Sequence, residues 1–184
     1  MNVPVLLGIG SNVERERHLN RGLDALQQLL GPLHCSPVFE SEAVGVLGKR
    51  FYNMVVAADC RLSLPELQAA LKAVEAACGR REARSAGSIT LDIDILVYGE
   101  LHGVHHGIRL PRAEITRNAF VLWPLALLAG DARLPGDGRA YAELWAGWQG
   151  NQGLWPVAFE WRGQALTPAS LLPRRDPGVS RDLG

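Results

Sequence analysis

The sequence lacks the features of disulfide-rich, thiol-based metal-binding and membrane proteins. Its three cysteines, Cys35, Cys60 and Cys78, are widely spaced and form no CxxC pair, so we interpret them as buried thiols. No apolar run approaches the roughly 18 residues of a membrane helix, and the N-terminus has no basic segment of the signal-peptide type. We therefore expect a cytoplasmic protein with no membrane partner.

An excess of charge of either sign is also absent. Nineteen basic and nineteen acidic residues give a formal net charge of zero. Because nucleic acids attract proteins mainly through their phosphates, this balance argues against a nucleic-acid partner. The 184 residues, 47% hydrophobic and 21% charged, are typical of a globular protein with one sizeable core.

The sequence does contain a pair of aspartates inside an apolar, β-branched run, TLDIDILVYG at residues 90–99. Strand side chains alternate between faces, so Asp92 and Asp94 share one face with Cα atoms roughly 6.5 Å apart. Two carboxylates this close favour a hard cation such as Mg²⁺, which takes substrate phosphates as further ligands. The pair indicates either a site of phosphoryl or pyrophosphoryl transfer or a solvated strand face whose carboxylates meet Lys or Arg.

Hydrophobic periodicity predicts the order strand, helix, strand, strand, helix, strand. The strands are expected at residues 3–9, 33–39, 51–60 and 90–98, and the helices at 16–30 and 63–78. This order is typical of the α+β class and of a ferredoxin-like split βαβ (βαββαβ) fold: an antiparallel sheet with helices on one face and the other face open. Asp92 and Asp94 are expected on the open face.

The domain organisation is predicted from composition. Residues 1–133 are expected to form the ferredoxin-like domain. Residues 134–184, rich in Gly, Pro and Trp, are expected to form a C-terminal extension that packs on the same domain and ends in a partly mobile tail. A short extra strand at residues 157–161 is expected to flank the sheet.

Two loops are expected at the open face. Residues 40–50 contain apolar residues and two glycines, which favours a substrate-binding loop over a hairpin tip that rests on the core. Residues 79–88 carry three arginines among small residues. They predict a lid that brings positive charge to a polyphosphate, with a solvated helix end as the alternative.

Several short motifs follow one another along the chain. They are Gly10-Ser11-Asn12, Phe51-Tyr52-Asn53, Gly79-Arg80-Arg81, the aspartate strand, Leu110-Pro111 and AFVLWPL at residues 119–125. With this ordered set, residues 3–130 resemble the 6-hydroxymethyl-7,8-dihydropterin pyrophosphokinases (HPPK) of folate biosynthesis. The resemblance implies a transferase that moves the terminal pyrophosphoryl group of ATP to the hydroxymethyl group of a reduced pterin, with ATP as co-substrate and two Mg²⁺ ions.

The resemblance also implies roles for individual residues. Asp92 and Asp94 are expected to hold the metal. The pterin is expected to contact Ser41, Val44, Phe51, Asn53 and Phe120. The nucleotide is expected to contact Glu75, Arg80, Ile95 and Arg112. The catalytic charges are expected to be Arg80, Arg84 and Arg112, of which Arg84 and Arg112 stand in for basic residues that the family has and this chain lacks. The implied partners are a small-molecule pterin and ATP, and the protein is expected to be a monomer or weak dimer.

The chain departs from the family pattern just before the aspartates. Where the family has Arg-Trp-Gly-Pro-Arg-Thr, residues 85–90 read SAGSIT, so Ala86 replaces a Trp that closes over the pterin and Ile89 replaces an Arg that binds ATP phosphate. Three alternatives stay open. The chain is a pterin pyrophosphokinase, or a divergent paralogue that binds nucleotide or pterin or uses another alcohol with the usual activity reduced or lost, or an interaction module that uses the open face.

Overall fold

The computed structural model describes residues 2–42, 49–79 and 87–174. Its central elements are β1 (Val3–Ser11), α1 (Arg15–Leu30), β2 (His34–Cys35), β3 (Val38–Ser41), β4 (Phe51–Cys60), α2 (Leu64–Ala77) and β5 (Asp92–Tyr98). The strands form a sheet in the order β5-β1-β4-β3, and every neighbouring pair is antiparallel. This is the ferredoxin-like order, so the predicted fold class is confirmed.

Local sequence explains where the two long helices begin and end. Helix α2 opens with a capping box, in which Glu66 N donates to Ser63 Oγ at 3.3 Å and Ser63 Oγ donates to Glu66 Oε1 at 2.8 Å. Helix α1 ends at Gly31, whose φ of 84° favours glycine. Both helices bury an apolar stripe against alternate residues of the sheet, which include Leu7, Ile93 and Ile95.

The second predicted strand, 33–39, is divided into two pieces. Strand β2 pairs with Ala57 and Val56 of β4, whereas β3 pairs further along with residues 51–53. Between β2 and β3, two hydrogen bonds of the buried Ser36 take the place of the regular ladder. Its backbone N donates to Val55 O at 2.9 Å, and Val55 N donates to Ser36 Oγ at 2.8 Å. The break follows from Pro37, which has no N–H to give to a ladder.

Substitution Ser36→Ala is expected to lower the free energy of unfolding by about 1–3 kcal/mol, because the buried Val55 N–H loses its acceptor. Urea unfolding followed by circular dichroism measures this difference. The matched control is Ser170→Ala, since Ser170 is exposed. Equal stability of the two variants would contradict this account of the break.

The remaining elements follow β5 along the chain. They are a hairpin of β6 (Gly103–His105) and β7 (Ile108–Leu110), helices α3 (Glu114–Arg117), α4 (Ala119–Ala129) and α5 (Tyr141–Ala146), strands β8 (Leu154–Val157), β9 (Glu160–Trp161) and β10 (Gln164–Ala165), and a 3₁₀ turn at Ala169–Leu171. The three histidines at 102, 105 and 106 lie in and beside the hairpin, and His105 Nε2 lies 2.9 Å from the carbonyl oxygen of His102.

Part of the sheet face opposite α1 and α2 is covered, although the sequence analysis expects helices on one face and an open second face. Helices α4 and α5 pack there on Val55, Leu96 and Val97 and form a second core. Helix α4 is apolar around its whole circumference, so its sequence does not indicate which side meets the sheet. The open region of this face is a cavity lined by residues of β1, β4 and β5.

The C-terminal segment returns to the sheet. Strand β8 pairs antiparallel with β3, from Val38 opposite Val157 to Ser41 opposite Leu154. The strand expected at 157–161 is therefore wrong in its bounds: β8 ends at Val157, and β9 pairs with β10 in a separate hairpin. The turn of this hairpin holds Gly163 at a φ of 76°, which explains the reversal.

The boundary between residues 133 and 134 stays a prediction, and the tail from residue 175 lies outside the described residues. In the described ranges, no helix has the length and apolarity needed to cross a membrane.

Candidate active site

Strand β5 presents Asp92 and Asp94 on the second face of the sheet, opposite α1 and α2. In the register of β1 and β5, Asp92 lies across from Gly10 and Asp94 across from Gly8. Because glycine carries no side chain, the neighbouring strand leaves space above both carboxylates. That space is a cavity of about 340 Å³, which both aspartates line.

A β-bulge separates the aspartates from the second core. Leu7 pairs with Ile95 and Leu6 with Val97, so Leu96 is an extra residue on β5. As a result, Leu96 and Val97 both lie in the second core, while Ile93 and Ile95 lie in the first. Strand β5 thus passes from lining the cavity to filling the core within a few residues.

The pKa of Asp94 is strongly perturbed by its surroundings. Burial, followed by the neighbouring charge of Asp92, raises the pKa of Asp94 to about 6, against the opposing effect of Arg112. Arg112 Nη2 lies 3.6 Å from Asp94 Oδ1, and its Nε lies 3.3 Å from Glu114 Oε2. Two carboxylates thus contact one guanidinium, and Asp92 adds a third negative charge beside Asp94, so the balance favours a further cation at this point.

The donor set fits Mg²⁺. Both carboxylates are partly exposed and face the cavity, and oxygen ligands of this kind suit a hard divalent ion. In the described ranges, no group of three or more His, Cys, Asp or Glu side chains is placed to hold a metal. A pair of carboxylates is sufficient for Mg²⁺, which takes its other ligands from water and substrate phosphates.

The structure brings together four of the residues expected to bind the pterin. Asn53 Nδ2 donates to Ser41 Oγ at 2.7 Å, and both side chains are buried. Phe51 and Phe120 line the same cavity from β4 and α4. The fifth residue, Val44, lies outside the described residues. The cavity therefore combines aromatic walls with a hydrogen-bonded amide.

A second cavity of about 320 Å³ adjoins the first. Asp94, Arg112 and Glu114 line both, so they form the boundary between the two spaces. Gln68 and Arg109 complete the polar lining of the second cavity.

The other residues expected to contact the nucleotide do not all line a cavity. Ile95 lines the second cavity, but its side chain is buried in the first core, which leaves its backbone for any contact. Glu75 Oε2 accepts from Ile93 N at 3.1 Å, so Glu75 lies beside the aspartate strand rather than in either cavity. Arg80 and Arg84, the expected catalytic arginines, lie outside the described residues, and so does Ala86.

Asn12 has a role that the sequence analysis does not assign. Its side chain accepts from Ile89 N at 2.6 Å and donates to Gly87 O at 2.7 Å, and its backbone N donates to Ile89 O at 3.0 Å. These three bonds fasten the segment just before the aspartate strand. Ile89 itself lines the cavity. The motif Gly10-Ser11-Asn12 is the signal that could have pointed to Asn12.

Comparisons with known proteins agree with this geometry. Residues 6–130 match the family model of 7,8-dihydro-6-hydroxymethylpterin-pyrophosphokinase (HPPK). A 2-amino-4-hydroxy-6-hydroxymethyldihydropteridine pyrophosphokinase of Pseudomonas aeruginosa is 38% identical over 146 residues, which cover 77% of this chain and 90% of that protein. The enzyme of the same name from Aquifex aeolicus is 32% identical over 123 residues, or 66% of this chain and 77% of that protein.

Solved structures show the same fold. A crystal structure of a Plasmodium falciparum HPPK-DHPS triple mutant with pteroate aligns with a TM-score of 0.63 at 12% identity, over 79% of this chain. The alignment spans 43% of that longer chain. Together with the family match over residues 6–130, these relatives establish that the chain belongs to the HPPK family.

Proposed function

We propose that the protein transfers the terminal pyrophosphoryl group of ATP to the hydroxymethyl group of 6-hydroxymethyl-7,8-dihydropterin. The observation that carries this proposal is the pair of adjoining cavities that share Asp94 and Arg112. One cavity has aromatic walls and a buried amide, as a flat heterocycle requires, and the other is polar. Two different substrates can therefore meet at the carboxylates, where a metal-bound polyphosphate would lie.

The reaction needs positioning and charge neutralisation more than covalent help from the protein. The pterin hydroxyl oxygen attacks the β-phosphorus, the bond to the α–β bridging oxygen breaks, AMP leaves and the hydroxyl proton passes to solvent. Asp92 and Asp94 would hold the two Mg²⁺ ions, which neutralise the polyphosphate when bound. Arg112 places a guanidinium beside the transferred group.

The pterin is held by a different set of side chains. Asn53, fixed by Ser41, offers its amide to the edge of the ring, and Phe51 and Phe120 bound the cavity in which the ring would lie. Because the Asn53 amide is already oriented by a hydrogen bond to a neighbouring strand, little side-chain entropy is lost when the pterin binds.

The test is the Mg²⁺-dependent formation of AMP from ATP in the presence of 6-hydroxymethyl-7,8-dihydropterin. AMP is expected to form in a fixed ratio with the pterin diphosphate, and neither product is expected without the pterin or with EDTA. Equal AMP formation with and without the pterin would refute the proposed acceptor.

One observation favours the alternative of a paralogue with reduced transfer. Ile89 lines the cavity at the position where the resemblance implies a phosphate-binding Arg, so this wall is apolar. The two functions differ in one measurement. A paralogue of this kind would bind a non-hydrolysable ATP analogue in the presence of Mg²⁺ but would release no AMP above the background without pterin.

A further inference from the structure

The segment beyond the family match reaches back to the cavity. The match ends at residue 130, whereas β8 begins at Leu154 and lies along β3. Just before β8, Glu42 N donates to Gly153 O at 3.2 Å, and Glu42 lines the cavity. This pairing brings Gln152, the preceding residue, to the N-terminal end of helix α4.

Gln152 makes three hydrogen bonds at this helix end. Ala119 N donates to Gln152 Oε1 at 2.8 Å, while Gln152 Nε2 lies 3.4 Å from Arg117 O and 3.3 Å from Asn118 Oδ1 as a donor to both. Asn118, the N-cap residue of α4, makes no side-chain cap of its own. Gln152 therefore satisfies a helix N–H that the local sequence leaves open.

The first turn of α4 carries one aromatic wall of the cavity, Phe120, whereas the other, Phe51, lies on β4. Phe120 and Val121 line the cavity directly after Ala119, and Asn118 lines it as well. The groups on the phosphate side are held elsewhere, since Arg112 N donates to Leu96 O at 2.9 Å. Removal of the Gln152 side chain is therefore expected to displace Phe120 while the Arg112–Asp94 pair stays in place.

We infer that Gln152 is a positioning residue for the pterin: it acts through Asn118 and Ala119 to fix Phe120 in the binding cavity. This inference rests on the proposed function. It extends the site to residue 152, which lies outside the family-matched residues 6–130. This part of the chain would then influence the affinity for the pterin.

The test compares Gln152→Ala and Gln152→Glu with a matched control, Gln149→Ala, in which an exposed glutamine of the same segment is removed. Gln152→Ala is expected to raise KM for the pterin roughly three- to tenfold, the size of effect that losing one helix cap produces. KM for ATP and kcat are expected to stay within about twofold, because the phosphate side keeps its own anchors. Gln152→Glu retains an acceptor for Ala119 N but loses the donor to Arg117 O and Asn118 Oδ1, so it is expected to recover part of the pterin affinity.

Five outcomes separate the possibilities. An equal rise of both KM values, or a lower unfolding temperature with unchanged KM for the pterin, would show that Gln152 is merely structural and would overturn the inference. Failure of Gln152→Glu to recover pterin affinity would overturn the capping account. Active wild-type protein with Gln152→Ala kinetics equal to those of Gln149→Ala would overturn the inference alone. Wild-type protein without pterin-dependent AMP formation would overturn the proposed function and the inference with it.

Discussion

Substitution Asp94→Ala is expected to abolish Mg²⁺-dependent nucleotide binding and to lower kcat/KM by a factor on the order of 10²–10³, as removal of a preorganised charge-stabilising group does. Asp94 lines both cavities and faces Arg112, so both substrates would approach it. Without it, Arg112 keeps only Glu114 as a partner among the described residues, and the proposed metal site loses one of its two carboxylates. Titration with a non-hydrolysable ATP analogue at varied Mg²⁺ concentration measures the binding, and AMP release measures the rate.

The stability of the same variant provides an independent check. Burial raises the pKa of Asp94 to about 6, so at pH 7.5 the folded protein carries an ionised carboxylate at a cost. Removing it is expected to leave the metal-free unfolding temperature unchanged or higher. Mg²⁺ with the ATP analogue is expected to raise the unfolding temperature of wild-type protein but not that of the variant.

The matched control for Asp94→Ala is Asp59→Ala, which removes an exposed aspartate from another strand of the sheet. Its metal-dependent nucleotide binding is expected to equal that of wild type. An Asp94→Ala protein that binds the Mg²⁺–nucleotide complex as tightly as the Asp59→Ala protein would rule out the aspartate pair as the metal site.

Substitution Ile89→Arg is expected to raise the rate of pyrophosphoryl transfer about tenfold or more, because one guanidinium at a polyphosphate site contributes up to the order of 10²–10³ when fully preorganised. Ile89 is partly exposed and lines the cavity, so a longer side chain can extend into it. Its backbone is held by Asn12, which fixes where the new guanidinium starts. Single-turnover AMP release at saturating ATP and pterin measures the transfer step.

Ile89→Met is the control for side-chain length without charge. Its rate is expected to stay within about twofold of wild type, since it adds no donor for phosphate. A tenfold gain shared by both variants would mean that shape, not charge, limits transfer. A rate for Ile89→Arg at or below that of wild type would indicate that other cations already neutralise the polyphosphate.

Much of the fold is predictable because its signals are local. Strict alternation along β5 places Ile93 and Ile95 opposite the aspartates, and the capping box at Ser63 fixes the start of α2. The four pterin-side residues that the resemblance names and the structure describes do line one cavity. In each case a few neighbouring residues, or a motif of known order, contain the information.

The features that the sequence analysis misses depend on distant contacts. Helix α4 is apolar on every side, so only its neighbours decide which surface meets the sheet. The bond between Ala119 and Gln152 spans 33 positions of the chain, and nothing near either residue indicates it. The bulge at Leu96 follows from the pairing of β5 with β1 and leaves no mark in the alternation itself.

The hydrogen bond from Arg112 N to Leu96 O ties the arginine to the strand that carries its aspartate partner. The opposing charges at the centre of the site are therefore held by the sheet, while Phe120, one of the two aromatic walls, belongs to the first turn of α4. A shift of the first turn of α4 would move Phe120 and so change the shape offered to a ring, while the bond from Arg112 N to Leu96 O would still hold the arginine beside the aspartate strand. In the proposed reaction, substitutions in the first turn of α4 are therefore expected to alter acceptor choice more than phosphate chemistry.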